Sequence, residues 1–378
     1  MKNIKGNRFT AASLSLLTVI VCFLSAVSFR SMHRKEDIFP GSSLTAEKKL
    51  SDYFPALKKT SGDSDVYVFQ GEDEGGSLLI LGGTHANEPA GFIASVLLVE
   101  NIRVRKGKVI IIPRANSSSF THSDPGEGNP QRYSLETAGG RRWFRFGSRL
   151  TNAIHQWPDP TLYINPAGQK LSGTEVRNLN RCYPGRKRGY LTEKVASALM
   201  ELIKKEDIDL GIDLHEAAPE YPVINAIVFH ENSAELAALA YMELQSDGFE
   251  FRLESSPPNL RGLNHREWGD HAQIKAILLE TANASHGRLK GKSSEQLIVD
   301  GKDRNYVKAG RLGLLFVPFD EEGIPLKLRV ARHLAALEAL LSSFNEMEEK
   351  TIEILDIPAF DRVVHDGIGV FLKPPDHR

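Results

Sequence analysis

The stretch Leu78–Gly91, LLILGGTHANEPAG, decides the fold of this chain. Its apolar start, Leu78–Leu81, predicts a buried strand, and the two glycines that follow end it. Pro89 suits the first turn of a helix, where its missing N–H is not needed. The apolar run Ala90–Val99 predicts that helix, so the stretch reads as a strand, a turn and a helix.

His85 and Glu88 fall in this turn, at the place where open α/β sheets bind their ligands. An imidazole and a carboxylate three residues apart can reach one metal ion, and mixed nitrogen and oxygen ligation suits zinc. The same pair also fits a surface histidine followed by a glutamate that the helix dipole favours. The pair alone leaves both interpretations open.

Length and charge exclude some classes of protein. A chain of 378 residues can bury a large core, and a formal net charge of −1 without a basic patch predicts no nucleic-acid partner. The two cysteines, Cys22 and Cys182, are far apart, and we expect no disulfide between them.

The N-terminal stretch Phe9–Phe29 carries no charge and has basic residues on both sides. Its length is near the roughly 20 residues of a membrane span, and it also fits a secretory signal. We favour an uncleaved signal anchor over a cleaved signal, which predicts a membrane-anchored protein whose body is extracytoplasmic, either periplasmic or extracellular. The predicted organisation is an anchor at 1–35, a tether and lead-in at 36–60, a catalytic domain at 61–346, and a tail at 347–378 with candidate edge strands.

Strand patterns alternate with helical patterns along the body. Further strands are predicted at Val66–Gln70, Val109–Pro113, Ile208–Leu214, Val223–Phe229 and Lys275–Leu279, and helices at Leu191–Lys205, Ala234–Leu244 and Pro325–Phe344. This alternation predicts an α/β fold with a mostly parallel mixed sheet sandwiched between helices. The polar stretch Asn259–His271 is predicted to be a loop, and residues 117–175 are predicted to be mostly irregular, with a basic aromatic cluster at 141–149.

Further polar groups fall where they can reach the same sheet edge. His215 and Glu280 each end a predicted strand, and Asn180-Arg181 lies in a loop. Asp213, two residues before His215, falls on the same face of the strand and can orient that imidazole. Glu216 is expected at the rim of the site.

Four motifs in this order, GGTHANEPAG, LNRCYPG, IDLHEA and LLETANA, resemble the zinc carboxypeptidase superfamily. The opening G-G-T-H-x-N-E is most similar to the succinylglutamate desuccinylase and aspartoacylase branch. The resemblance covers residues 65–285 and implies the fold and the chemistry of that superfamily.

The resemblance implies a role for each matching residue. It makes His85, Glu88 and His215 the ligands of one Zn²⁺ per chain, and Glu280 the general base and proton shuttle. Asn180 and Arg181 match the pair that binds the substrate carboxylate. The family also has an oxyanion-stabilising arginine shortly before that pair, but the match of this sequence in that stretch is not exact. The candidates for that role are Arg142, which we rank first, Arg177 and Arg114.

Physical chemistry agrees with these roles, because three protein ligands leave zinc an open position for water. The first predicted function is the removal of an acyl group from an N-acyl amino acid. The second is a membrane-anchored carboxypeptidase that acts on peptides, including cell-wall peptides, since the Cys-Tyr-Pro-Gly that follows Asn-Arg is closer to the peptidase pattern. The third is a membrane-anchored binding module, which the complete set of ligands and base disfavours.

Overall fold

The computed structural model describes residues 2–124 and 130–375, with side chains from residue 7 onward. The described part does not include residues 376–378 of the tail. It also excludes the side chains of Lys2 and Lys5, which precede the apolar N-terminal stretch. The chain divides into two compact units, Met1–Glu36 and Asp37–Arg378. The first unit contains one helix, α1 (Lys2–Met32), whose portion Asn7–Met32 is long and apolar enough to cross a membrane.

The second unit contains thirteen strands and nine helices among the described residues, besides short 3-10 turns. The strands are β1 (Ala46–Lys49), β2 (Asp65–Gln70), β3 (Asp73–Leu81), β4 (Arg103–Ile112), β5 (Arg132–Thr137), β6 (Gly140–Arg145), β7 (Leu162–Ile164), β8 (Lys170–Ser172), β9 (Leu210–Ala217), β10 (Ala226–Phe229), β11 (Arg252–Ser255), β12 (Lys275–Ala282) and β13 (Glu353–Leu355). The helices are α2 (Leu50–Tyr53), α3 (Pro89–Asn101), α4 (Leu191–Lys205), α5 (Ala234–Ser246), α6 (Asn264–Ala272), α7 (Glu295–Asp300), α8 (Arg304–Arg311), α9 (Leu326–Met347) and α10 (Phe360–Asp366).

One mixed sheet forms the centre of this unit, with strand order β1-β2-β4-β3-β9-β12-β10-β11 and β13 paired to β4. The four central strands β4, β3, β9 and β12 are parallel, and so is the pair β10 and β11. The pairs β1–β2, β2–β4, β10–β12 and β13–β4 are antiparallel. The predicted α/β fold with a sheet between helices is confirmed.

Successive side chains of a strand point to opposite faces of the sheet, and in the central strands the side chains on both faces are apolar. Helices therefore cover both faces. On one face, Leu78 and Ile80 of β3 belong to a core with α3, α5 and α9. On the other face, Leu79 and Leu81 belong to a second core with α2 and α4. All four of these β3 side chains are fully buried.

Two glycines of the opening stretch are needed for close approach. Gly83, just after β3, has a φ of +58°, and a Cβ there would lie 2.6 Å from the carbonyl oxygen of Pro113. Gly91, in the first turn of α3, lies against β9, and a Cβ would come within 2.2 Å of the Leu214 carbonyl oxygen. Glycine therefore lets α3 begin directly beside β9.

Some segments differ from the sequence prediction. The prediction of a loop at Asn259–His271 is wrong after residue 263, because α6 begins at Asn264. Its polar residues are buried with partners: the Glu267 carboxylate accepts hydrogen bonds from Arg261 and from the backbone N–H of Gly262. Residues 117–175 contain the hairpins β5–β6 and β7–β8. The sheet also begins within the segment predicted as tether and lead-in, at β1.

Candidate metal centre

His215 and Glu280 are direct neighbours in the sheet. They are paired in the register of the parallel strands β9 and β12, so both side chains project from the same face. His85 and Glu88 come from the turn between β3 and α3, and β3 is the strand on the other side of β9. The strand ends thus bring four residues that are distant in sequence to one place.

The three predicted ligands converge on one point. The Nδ1 atom of His85 lies 2.7 Å from Oε1 of Glu88, and the Nδ1 atom of His215 lies 2.8 Å from Oε2 of the same carboxylate. The ligand atoms of the three residues all lie within 4.8 Å of one another, and each side chain is at most 2 % exposed. This arrangement could hold one metal ion between two imidazole nitrogens and a carboxylate.

The second nitrogen of each imidazole is held by another side chain. Nε2 of His85 lies 2.9 Å from Oδ1 of Asn178, and Nε2 of His215 lies 2.7 Å from Oδ2 of Asp213. Both partners accept the proton on Nε2, so Nδ1 is the nitrogen that each ring would offer to a metal. Asp213 is itself held by hydrogen bonds from Thr84 and Asn264. The donor set and its supports fit a zinc ion.

The electrostatics of His85 and Glu88 favour the charge states that a metal requires, whereas those of His215 favour a protonated imidazole that must lose a proton to bind a metal. Burial, aided by the Arg149 cation, lowers the pKa of His85 to about 3. Burial also acts to raise the pKa of Glu88, but the two histidines outweigh it and hold that pKa well below its usual value. For His215, the carboxylates of Asp213 and Glu88 outweigh burial and raise the pKa. Glu88 is therefore an anion, as a ligand must be.

The Glu280 carboxylate differs from these residues in its hydrogen bonding and its pKa. Its Oε2 atom is buried and has no hydrogen-bond partner among the described residues. Burial, together with the nearby Glu88 charge, outweighs the effect of His215 and raises the pKa of Glu280 to about 8. A buried carboxylate with an unsatisfied oxygen and a raised pKa is typical of a group that exchanges a proton.

These residues line a cavity of about 1020 Å³. Asn180 and Arg181, the predicted substrate-binding pair, also line it. The Arg181 guanidinium is 4.0 Å from the Glu175 carboxylate, and its side chain is 22 % exposed. Burial and the nearby Arg149 cation lower the pKa of Arg181. An anionic ligand group would relieve this repulsion between two cations.

The structure does not bring Arg142 to the site, which corrects its ranking as the first candidate for the oxyanion. Its guanidinium forms two 2.9 Å hydrogen bonds to the buried Glu100 carboxylate and one to the backbone carbonyl of Asp37. Arg142 lies on β6, where the hairpin packs on the core, so its charge is already neutralised. Arg177 is likewise paired with Asp159, and Arg114 is 3.8 Å from Asp65.

Arg149, seven residues beyond Arg142, lines the cavity instead. Its Nη1 atom donates to Oε1 of Glu88 over 3.2 Å, and its side chain is 32 % exposed. Sequence reasoning included Arg149 in the basic aromatic cluster without selecting it, and missed Asn178 entirely. Asn178 lies two residues before Asn180 in the same turn, and this position could have indicated that its side chain is near the site.

The fold and the grouping of His85, Glu88 and His215 agree with the expected resemblance to the zinc carboxypeptidase superfamily. Residues 161–298 match the family described as "Succinylglutamate desuccinylase/Aspartoacylase catalytic domain", which confirms the resemblance for that part of the chain. The match includes Arg181, His215 and Glu280, and His85 lies before it.

Solved structures similar to this chain include three from bacteria. An aspartoacylase family protein from Mesorhizobium loti is 21 % identical, with 58 % of this chain and 56 % of that chain covered and a TM-score of 0.36. A succinylglutamate desuccinylase/aspartoacylase from Rhodobacter sphaeroides is 18 % identical, with 58 % and 51 % covered and a TM-score of 0.38. The cell shape determinant protein Csd4 from Helicobacter pylori is 16 % identical, with 80 % and 59 % covered and a TM-score of 0.43.

The chain spans little more than half of the length of these structures. No curated protein matches its sequence.

Proposed function

We propose that this protein is a zinc-dependent amide hydrolase that removes the acyl group from an N-acyl amino acid or a related carboxylate-bearing amide. The observation that carries the proposal is the position of Glu280. Its buried carboxylate oxygen, which has no partner in the described part of the chain, lies beside the point where His85, Glu88 and His215 converge. Three metal ligands and a nearby carboxylate that can accept a proton are the minimum set of groups required for hydrolysis by an activated water.

His85, Glu88 and His215 would hold one zinc ion per chain. When bound there, zinc supplies an activated water and polarises the amide carbonyl. Asn178 and Asp213 keep the two imidazoles in the tautomer that binds metal, because each accepts the Nε2 proton.

Glu280 moves the proton. Its carboxylate takes a proton from the attacking water as the water oxygen forms a bond to the carbonyl carbon. It then delivers that proton to the amide nitrogen, and the C–N bond breaks. The products are a carboxylic acid and a free amine, and Glu280 returns to its ionised state. Its Oε2 atom is buried, which keeps bulk water away from a proton held there.

Two arginines orient the substrate. Arg181, with Asn180, binds the carboxylate on the amine side of the amide, since a guanidinium presents a fork that matches a carboxylate. Arg149 replaces Arg142 in the second role, and stabilises the negative charge that develops on the carbonyl oxygen. Its contact with Glu88 places its cation next to the metal ligands.

A second candidate function is a carboxypeptidase that acts on peptides, including cell-wall peptides. The size of the cavity, about 1020 Å³, favours it, because this lies at the upper end of the range for small-molecule sites and accommodates more than one residue. The Asn180 and Arg181 pair would then bind the C-terminal carboxylate of a peptide. The two functions share one mechanism and differ in the acyl side of the substrate.

The proposed location follows from α1. We propose that residues 1–35 form a signal anchor in the membrane and that the remaining chain, with its catalytic domain at 61–346 and tail at 347–378, is extracytoplasmic. The apolar length of Asn7–Met32 supports a membrane span.

The test is zinc content together with hydrolysis, on the full chain purified in detergent. We expect about one zinc per chain by elemental analysis, lost in His85→Ala. Glu280→Gln should keep the zinc and lose at least about 100-fold in kcat on N-acyl amino acids or peptides. Glu338→Gln, on the exposed surface of α9, is the matched control and should change neither quantity. Failure of the wild type to bind zinc, or full activity of Glu280→Gln, would refute the proposal.

A further inference from the structure

We infer that the amine-side residue of the substrate carries an apolar side chain and not an acidic one, because the cavity beside Glu280 has an apolar floor and wall. This inference rests on the proposed hydrolase function and specifies its substrate class. It sets this chain apart from an enzyme for aspartate or glutamate derivatives.

The floor is formed by two strands next to the proposed base. Leu278 lies two residues before Glu280 on β12, so the two side chains project from the same face. Val228 on β10 is paired with Leu278 across the antiparallel ladder. Both side chains line the cavity, and both residues are less than 10 % exposed. A group that enters the cavity past Glu280 therefore meets two aliphatic side chains.

The wall next to this floor connects it to the proposed carboxylate clamp. Leu260 and Leu263 line the cavity from the segment that leads into α6. This segment is held against the Arg181 turn, since the backbone N–H of Asn264 donates to Oδ1 of Asn180 over 2.9 Å. A substrate whose carboxylate binds Arg181 thus has its side chain directed towards the leucines and the floor.

Among the described residues, the side chains that form the floor and this wall include no cation that could pair with an acidic side chain. His265 also lines it, and its Nε2 atom lies 2.9 Å from the Ser256 hydroxyl. Burial, reinforced by His215 and Arg266, lowers the pKa of His265 to about 3, so the imidazole is neutral at physiological pH. An aspartate or glutamate side chain placed here would be desolvated without a partner charge.

Besides Arg149, which contacts Glu88, two further cavity cations belong to a different segment. Arg288 and Lys290 line the cavity, and the backbone N–H of Arg288 donates to Oε1 of Glu220, not to α6 or β12. Next to this segment, Nδ1 of His286 is 3.1 Å from Nδ2 of Asn87 in the metal-ligand turn. Among the described residues of the cavity, positive charge is therefore placed at Arg181, at Arg149 beside Glu88 and on this segment, while Val228 and Leu278 of the floor are uncharged.

The experiment compares kcat/KM among substrates that share one acyl group and differ in the amino acid on the amine side. The zinc-loaded full chain in detergent is assayed with acetyl, succinyl and octanoyl amides of leucine, phenylalanine, aspartate and glutamate. We expect kcat/KM for leucine or phenylalanine to exceed that for aspartate and glutamate by at least about 100-fold within the series that is hydrolysed. A preference for aspartate or glutamate would overturn the inference and leave the hydrolase function standing. Absence of hydrolysis of every amide and of peptides would overturn the function, and the inference with it.

Two variants test whether the floor residues Val228 and Leu278 determine the preference for an apolar amine-side residue. Val228→Lys should reduce the leucine to aspartate ratio by at least about tenfold, since it supplies the missing cation. Leu278→Ala should raise KM for the leucine substrate about tenfold with little change in kcat, because it removes only side-chain contact. Leu312→Lys, at a leucine that is 63 % exposed and outside the cavity, is the charge-matched control. An unchanged ratio in a folded Val228→Lys, or an unchanged KM in Leu278→Ala, would remove the floor from substrate recognition.

Discussion

Glu216 and Arg329 form an ion pair in which neither side chain is exposed, with 2.5 Å between Oε1 and Nη1. Glu216 follows His215 on β9, so its side chain projects from the opposite face of the sheet. Its Oε2 atom accepts the backbone N–H of Ala90, and its own N–H donates to Glu88 over 3.1 Å. The expectation that Glu216 lies at the rim is wrong. It holds α9, the first turn of α3 and a proposed metal ligand together.

The first prediction concerns this pair. Arg329→Leu leaves a desolvated carboxylate in the core, and we expect a loss of about 3–5 kcal/mol in the free energy of unfolding. Burial already outweighs Arg329 and raises the pKa of Glu216 to about 7, so the unpaired carboxyl should become protonated. Urea unfolding followed by circular dichroism measures the loss.

The control is an exposed ion pair on another helix. Arg362→Leu breaks the contact with Asp366, where the arginine side chain is 61 % exposed, and should cost less than about 1 kcal/mol. The double variant Glu216→Gln with Arg329→Leu should be more stable than Arg329→Leu alone. Equal stability of these two variants would mean that the buried charge is not what destabilises the protein.

Much of the fold was predictable because its signals are local. The apolar runs of β3, β9 and β12 and the start of α3 at Pro89 are each determined by a few consecutive residues. Strand ends also predicted that His85, His215 and Glu280 approach one edge, since parallel strands end together. These features need no knowledge of how distant segments pack.

The parts that escaped prediction depend on distant packing. Nothing near Arg142 in sequence shows that Glu100 on α3 will neutralise it, while Arg149 points into the cavity. The polar start of α6 reads as a loop because partners such as Arg261 for Glu267 are visible only in three dimensions. Asn178 resembles any turn asparagine until its side chain meets His85.

The second prediction concerns the support of His215. Asp213→Asn keeps the size of the side chain but removes the charge that holds the Nε2 proton, and we expect zinc affinity to fall about 10–100-fold. Competition with a chromophoric chelator measures the affinity. Asp270→Asn, which alters the analogous contact of His230 away from the cavity, should leave it unchanged. A zinc affinity equal to that of the wild type in Asp213→Asn would exclude this supporting role.

The third prediction separates the two arginines. Arg149→Met should lower kcat about 100–1000-fold with little loss of stability, because it removes a cation next to the reacting carbonyl. Arg142→Met should instead destabilise the fold by about 3–5 kcal/mol, since it leaves Glu100 buried without its partner. Its kcat per folded molecule should match the wild type. The reverse pattern, with kcat lost only in Arg142→Met, would restore the sequence-based ranking.

The fourth prediction concerns acid stability at the opposite end of the sheet from the candidate metal centre. Partial burial acts to raise the pKa of Glu206, but hydrogen bonds from Tyr53, Lys48 and Lys108 outweigh it and lower the pKa to about 2. Because the folded-state pKa is below the usual 4.5, the stabilisation is present above about pH 4.5 and is lost as the pH falls towards about 2. Allowing for solvent screening, we expect Glu206→Gln to lower the free energy of unfolding by about 1–2 kcal/mol at about pH 6, and by less at about pH 3. Glu322→Gln, at a side chain that is 86 % exposed, is the control for a general effect of removing a carboxylate. Urea unfolding at both pH values gives the comparison, and a loss that stays the same at both would show that these hydrogen bonds do not depend on the ionised carboxylate.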